Sequence, residues 1–240
     1  MAPGPSAPGP SPGTVSVTVA WLRHVAVTIH ERRAWLTDLD AAIGDGDHGI
    51  NLDRGFAAVA ADLESGILAT DSVGPLLTAA GRRLLGLVGG ASGALYGRAL
   101  MAAGNRIAAN STAGPTGTRR VAEDALAAAI DGIAALGHAA PGDKTMLDAL
   151  VPALVALRAA PPDELIEFAL AGAAEAAEAG AAATIPLVAR KGRASYLGER
   201  SAGHLDPGAA SSAIMVRCLA DVVAAAGGAG ASLPETRATR

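Results

Sequence analysis

Apolar residues recur at helical spacing from residue 15 to residue 227, and no stretch alternates apolar and polar residues between hairpin turns. That property confines the chain to helix-on-helix packing. The spacing predicts helices near 15–39, 49–64, 72–87, 91–109, 117–136, 143–158, 162–182 and 207–227. Start signals mark several of them: Asp71-Ser72 before the third, Pro161-Pro162-Asp163-Glu164 opening the seventh, and Asp206-Pro207 opening the eighth. Half of the residues are apolar but only 2% are aromatic, and alanine, the strongest helix former, supplies much of the balance. Eight helices with short connections imply one all-α domain over residues 14–228, a bundle or closed helical barrel. The Pro/Gly/Ser-rich run 1–13 and the segment 229–240 read as disordered tails.

Composition also excludes partners. The net charge is -4 and no basic patch carries interleaved aromatics, so nucleic acid is not expected as a ligand. A single cysteine, Cys218, rules out an internal disulfide and fits a reducing, cytoplasmic compartment. No apolar run reaches the roughly 18 residues needed to span a bilayer, and the N-terminus lacks the pattern of a signal peptide. No membrane association is expected.

Three loops stand out: 40–51, 88–93 and 184–208. In the first, Asp40, Asp45 and Asp47 fall within eight residues among Gly44, Gly46 and Gly49. Three carboxylates this close repel one another unless a cation neutralises them, and hard oxygen donors suit Mg²⁺ or Ca²⁺. A calcium-binding EF loop fails on spacing, since neither Asp40 nor Asp45 as first position places glycine sixth and glutamate twelfth. Mg²⁺ keeps few protein carboxylates and completes its shell with water and phosphate, so a phosphorylated ligand is implied. The plainer alternative is a capping turn with Asp47 at the N-cap of the second helix. The run "GGASG", 89–93, precedes a helix and lets backbone amides approach an anion. The third loop carries Arg190, Lys191, Arg193 and Arg200 among apolar residues, which favours an ordered functional loop.

"GHAAPGDKT", 137–145, misses the P-loop pattern by one residue, and the segment before it reads as helix rather than strand. Asp143 is then expected to cap the next helix, with Lys144 exposed. The chain has only two lysines, Lys144 and Lys191, against seventeen arginines, and both sit in polar, glycine-containing runs. His204 can touch a ligand or simply occupy its loop. Asp206, Pro207 and Gly208 open a helix and offer its free amides. No serine–histidine–acid or thiol–histidine spacing asks for a nucleophile. Cys218 reads as a small buried hydrophobe, and Glu175 and Glu178 as solvated helix faces.

Read in order, "LDAAIGDGDHGIN", "GGASGALYG", "PGDKTMLDAL" and "ATIPLVARKGRASYLGERSAGHLDPGAASSA" resemble the nucleotide-binding L subunit of dihydroxyacetone kinase. The resemblance covers nearly all the chain except its two tails. It implies a closed barrel of eight antiparallel helices with a nucleotide, ADP or ATP, at one end. It implies two Mg²⁺ ions held through Asp40, Asp45 and Asp47. Nucleotide contacts carry over to His48, Gly49, Ile50 and Asn51, to Ala91 and Ser92, to Gly137 and Met146, and to Arg193, Asp206, Pro207 and Gly208. Ala91 stands where some members have threonine, so a hydroxyl contact is lost there while a backbone contact survives. Arg193 is the residue expected to face the transferring phosphoryl group. The resemblance further implies a phosphotransferase acting beside a K subunit that holds dihydroxyacetone. An M subunit, phosphorylated on histidine by the phosphotransferase system, would restore ATP from bound ADP. Two alternatives stay open: a kinase subunit that exchanges ATP and serves another short ketose, and a nucleotide-binding regulatory module that contacts a transcription regulator.

Overall fold

Eight α-helices and one short 3₁₀ segment make up the computed structural model, which describes residues 12–111 and 118–229. They are α1 (Pro12–Ile43), α2 (His48–Glu64), α3 (Val73–Leu87), α4 (Gly90–Ser111), α5 (Thr118–Gly137), α6 (Leu147–Ala159), α7 (Ile166–Ala183) and α8 (Pro207–Ala229), with η1 (Arg193–Ser201) between the last two. No strand occurs among the described residues. Of the expected tails, residues 1–11 and 230–240 lie outside the described residues; Pro12 and Gly13 begin α1, and Ala229 ends α8.

Each helix packs against the next, and α8 packs back on α1, so the order of packing is that of a ring. Side-chain partners show that neighbours run antiparallel. Asp53 of α2 meets His30 and Arg33 of α1. Asp62 near the end of α2 pairs with Arg83 of α3. Asn110 at the end of α4 donates to Asp124 near the start of α5. Arg119, opening α5, caps the carbonyls of Leu157 and Ala160 at the end of α6. Gly180 of α7 lies on the Asp148 carbonyl of α6. At the closing seam Trp21 Nε1 donates to Met215 O at 2.9 Å and His24 faces Asp221 at 3.7 Å. One main apolar core, including Leu22, Ile29, Leu52, Phe56, Leu84, Leu147, Ala173 and Ala209, fills the ring.

The α3–α4 seam is close along its length, and paired glycines explain it. A Cβ on Gly81 would stand 2.6 Å from the Gly97 carbonyl, and one on Gly97 would stand 2.8 Å from that of Gly81. Gly74 and Gly104 repeat the arrangement at 2.7 and 2.5 Å. Gly86, on the same helix, has nothing within 4 Å of such an atom. We expect Gly81→Ala to destabilise the protein by about 1–3 kcal/mol, because a clash with backbone outweighs the helix propensity of alanine. Gly86→Ala is expected to stabilise by up to about 1 kcal/mol. Urea midpoints of the two variants check both signs.

Three expectations need correction. The sixth helix starts at Leu147 rather than 143. Asp143 Oδ2 accepts from Ala140 N inside its own loop, and Asp148 accepts from Gly142 N and Thr145 N instead. The seventh starts at Ile166 rather than 162, because Pro161 to Glu164 closes a turn, with Glu164 N on Pro161 O at 3.1 Å. Finally, among the described residues one helix is long and apolar enough to cross a membrane: Pro207–Gly227 of α8, mean hydropathy 1.6. Half of that stretch is buried against α1, α6 and α7, which is why its sequence is apolar.

Candidate functional site

The alternation of the ring brings the C-terminal ends of α1, α3, α5 and α7 and the N-terminal ends of α2, α4, α6 and α8 to one end. A cleft of about 370 Å³ opens there. Its floor is the acidic turn. Asp40 lies in the last turn of α1 and is buried; its Oδ2 accepts from the backbone amides of Asp47 (2.9 Å) and His48 (3.1 Å). Asp40 thereby does the work of capping α2. Asp47 holds the N-cap position but makes no capping hydrogen bond, so the simple capping role does not account for it. Gly46 has φ +73°, where a side chain is strained, and a Cβ on Gly44 would overlap Asp40 Oδ1 at 2.0 Å, so the turn favours glycine at both places. The result is that Asp40, Asp45 and Asp47 each present an oxygen within 4.8 Å of the others. This all-carboxylate donor set fits a hard divalent cation.

The balancing positive charge in this structure is Arg193. Its Nη2 lies 3.1 Å from Asp45 Oδ2, with both side chains partly exposed. Lys191 also lines the cleft. On the far wall Ala91 and Ser92 belong to the first turn of α4, where amides lack intrahelical acceptors. Gly90 permits that turn, with φ +69°. Asp206, Pro207 and Gly208 form the third polar edge.

A buried hydrogen-bond chain joins these edges. His48 Nδ1 pairs with Ser92 Oγ at 2.8 Å and Nε2 with Ser211 Oγ at 2.8 Å. Burial lowers the His48 pKa despite the nearby carboxylates, which favours the neutral ring. Tyr96 Oη continues the chain to Ser211 (2.7 Å) and Ser212 (2.9 Å), and burial pushes its pKa up to about 12.

Asp206 is the unusual acid. It is buried, caps α8 through Ala209 N at 2.7 Å, and has its pKa pushed up to about 7 by that burial, against the lowering effect of the Ala209 amide and Lys144. A raised carboxyl pKa means the fold prefers the protonated acid. Its contribution is full below the unfolded-state value of about 4 and is lost as pH rises through about 7. Asp206→Asn cannot ionise. The melting temperature of that variant, relative to wild type, is expected to rise by several degrees between pH 5 and pH 8; scanning calorimetry at the two pH values measures it.

Most expected site residues converge here: Asp40, Asp45, Asp47, His48, Ala91, Ser92, Gly137, Met146, Arg193, Asp206, Pro207 and Gly208 all line the cleft. Gly49, Ile50 and Asn51 do not. Helix α2 turns them away: Gly49 packs on the Arg33 carbonyl of α1, Ile50 is 52% exposed, and Asn51 Oδ1 accepts from Arg54 at 2.8 Å beside Gly89. His204 is also off the cleft and offers its carbonyl to Lys144. Lys144, expected on the surface, is 1% exposed. Sequence reasoning missed the apolar wall of Leu95, Ile133, Leu136 and Ala139, and the polar Tyr96 and Thr145. The apolar four sit in helix or loop with no local mark that sets them apart from core.

Comparison with known proteins gives a consistent result. Residues 42–221 match the family described as the DAK2 domain. The chain is 41% identical over 203 residues to the PEP-dependent dihydroxyacetone kinase ADP-binding subunit DhaL of Escherichia coli, covering 84% of this chain and 94% of that one. It is 37% identical over 213 residues to the PTS-dependent subunit of Lactococcus lactis, covering 88% and 99%. It is also 39% identical to the L-erythrulose 1-kinase of Mycolicibacterium smegmatis, covering 80% of this chain but 33% of that enzyme. Among solved structures, the dihydroxyacetone kinase of C. freundii in complex with AMP-PNP and Mg²⁺ matches at a TM-score of 0.65 and 28% identity, over 92% of this chain and 36% of that one.

Proposed function

Because the chain belongs to the DAK2-domain family that includes the ADP-binding L subunits of dihydroxyacetone kinase, we propose that it is such a subunit. In this reading it transfers a phosphoryl group from bound nucleotide to dihydroxyacetone held on a separate K subunit. ADP stays in place, and a phosphohistidine M subunit of the phosphotransferase system recharges it. The observation that carries the reading is the trio of carboxylates within 4.8 Å, set across one cleft from a helix N-terminus and Arg193.

Each wall then has a task. Asp40, Asp45 and Asp47 hold the divalent ions, two in number by the resemblance. Magnesium bound there would neutralise phosphate charge and help to orient the nucleotide. The first turn of α4 at Ala91-Ser92 and the Asp206-Pro207-Gly208 turn flank the phosphates with backbone amides. Leu95, Ile133, Leu136 and Met146 supply an apolar surface for the base. Neutral His48, hydrogen-bonded on both nitrogens, locks the α2, α4 and α8 edges to one another. Arg193 exchanges Asp45 for a phosphoryl oxygen. That exchange is inexpensive, since an exposed ion pair contributes only about 0–1 kcal/mol.

The test is to denature the purified protein and identify what it releases. About one ADP per chain, with magnesium by elemental analysis, is the expected result; a protein that releases neither sinks the reading. The similarity to an erythrulose kinase favours one alternative, a subunit that exchanges ATP and serves a four-carbon ketose. Rapid exchange of labelled ATP and transfer without any phosphohistidine protein would select it.

A further inference from the structure

The buried Lys144 does not line the cleft, and its charge reaches the site only through its effect on Asp206. Its Nζ instead donates to the carbonyls of Thr184 at 2.8 Å, Ile185 at 3.5 Å and His204. These acceptors belong to the two ends of one loop, the segment that leaves α7 at Thr184 and enters α8 after Asp206. The same neck is crossed by Gly203 N on Ile185 O at 2.7 Å and by Asp206 N on Thr184 Oγ1 at 3.0 Å. One more tie, Arg190 N on Asp143 O at 3.0 Å, comes from the residue before Lys144. The crown of this loop is η1, which begins at Arg193.

Lys144 itself is held in an unfavourable backbone region, φ +63°. Asp148 fixes it there by accepting from Thr145 N at 2.7 Å and from Gly142 N. A buried ammonium facing three carbonyls forms charge-assisted hydrogen bonds, the stronger kind. Without it the His204 carbonyl would lose its donor, and the carbonyls of Thr184 and Ile185 would keep only the Leu187 and Gly203 amides, at 3.1 and 2.7 Å. Closing the ends of a loop removes conformations from everything between them.

We propose that Lys144 is a positioning residue: its ammonium clasps the neck of the 184–206 loop and thereby fixes where Arg193 stands, without touching nucleotide. The functional consequence rests on the reading of Arg193 given above; the clasp itself does not. The two are separated by experiment, using the full chain and Lys144→Met, which keeps length and removes charge.

Trypsin reads the clasp alone, because Arg190, Lys191, Arg193 and Arg200 place its cleavage sites on the loop. At a temperature where both proteins show the same helix signal, and without nucleotide, Lys144→Met is expected to be cut there at least about 10-fold faster. Equal rates overturn the proposal. Transfer to dihydroxyacetone on a K subunit, at saturating nucleotide, reads the consequence. Lys144→Met is expected to lose about 100-fold, the scale of a misplaced catalytic group. Combined with Arg193→Ala it is expected to lose no more than Arg193→Ala alone. Losses that multiply mean that Lys144 acts on something else, and the proposal falls. An Arg193→Ala variant with undiminished transfer fails the reading of Arg193, and the tryptic comparison then decides the clasp. If Lys144→Met does not fold, hydrogen exchange on the wild-type chain decides: the Gly203 and Asp206 amides should be as protected as the interiors of α7 and α8, and exchange at exposed-loop rates overturns the clasp.

Discussion

Asp45→Asn is expected to abolish phosphoryl transfer, by two orders of magnitude or more, while leaving helix content unchanged. The choice of residue matters. Asp40 is buried and accepts two backbone amides, so removing its charge disturbs the start of α2 as well as the donor set. Asp45 is partly exposed, and its recorded partner is Arg193 across the cleft. Asparagine keeps its shape and takes one charge from a hard-cation site, and metal-supplied stabilisation of several kcal/mol corresponds to a rate loss of this size. Chelation gives the companion measurement. A ligand present at 100 times its dissociation constant adds about 2.7 kcal/mol of stability. EDTA should therefore lower the melting temperature of the wild-type protein by several degrees and that of Asp45→Asn by much less. Full activity with full nucleotide occupancy in Asp45→Asn would remove these carboxylates from the metal site.

Arg193→Ala separates chemistry from binding. A guanidinium that meets charge on the phosphoryl group in flight is worth more in the transition state than in the ground state. The variant should lose transfer rate by on the order of 10³-fold, the lower range for an arginine in this role. Its ADP affinity should change by less than about tenfold. Lysine should restore only part of the rate, because it lacks the planar fork. Single-turnover transfer from bound ATP, set beside calorimetric ADP affinity, gives the two numbers. Equal losses in both would make Arg193 an ordinary binding residue.

How much of this was legible in the sequence depends on distance along the chain. The eight helices follow from local periodicity, and each appears in the structure close to its expected place. The acidic turn was legible because its charges crowd within eight residues with no cation among them. Starts of α6 and α7 were misread because Asp143 and the Pro161–Glu164 run carry helix-start chemistry but close turns of their own. The apolar wall was hidden for a different reason: Leu95, Ile133 and Leu136 keep the same helical spacing as residues that face the core. Lys144 was misplaced because its carbonyl partners are 40 to 60 residues away, and an isolated "GDKT" reads as solvent-facing. The Arg193–Asp45 pair likewise joins loops that only the closed ring brings together.

An even number of antiparallel helices has a topological consequence. Since α1 ends at the cleft and α8 begins there, Pro12 and Ala229 both belong to the opposite pole, on neighbouring helices. Polypeptide that precedes Pro12 or follows Ala229 therefore joins the described helices on the far side from the cleft. It can be added, removed or exchanged without rebuilding the mouth. A linker joining the two ends at that one pole would likewise permit circular permutants that open the chain elsewhere. In the proposed function, a partner that delivers or receives a phosphoryl group would approach over the open face as a separate body, or on a tether long enough to travel around the ring.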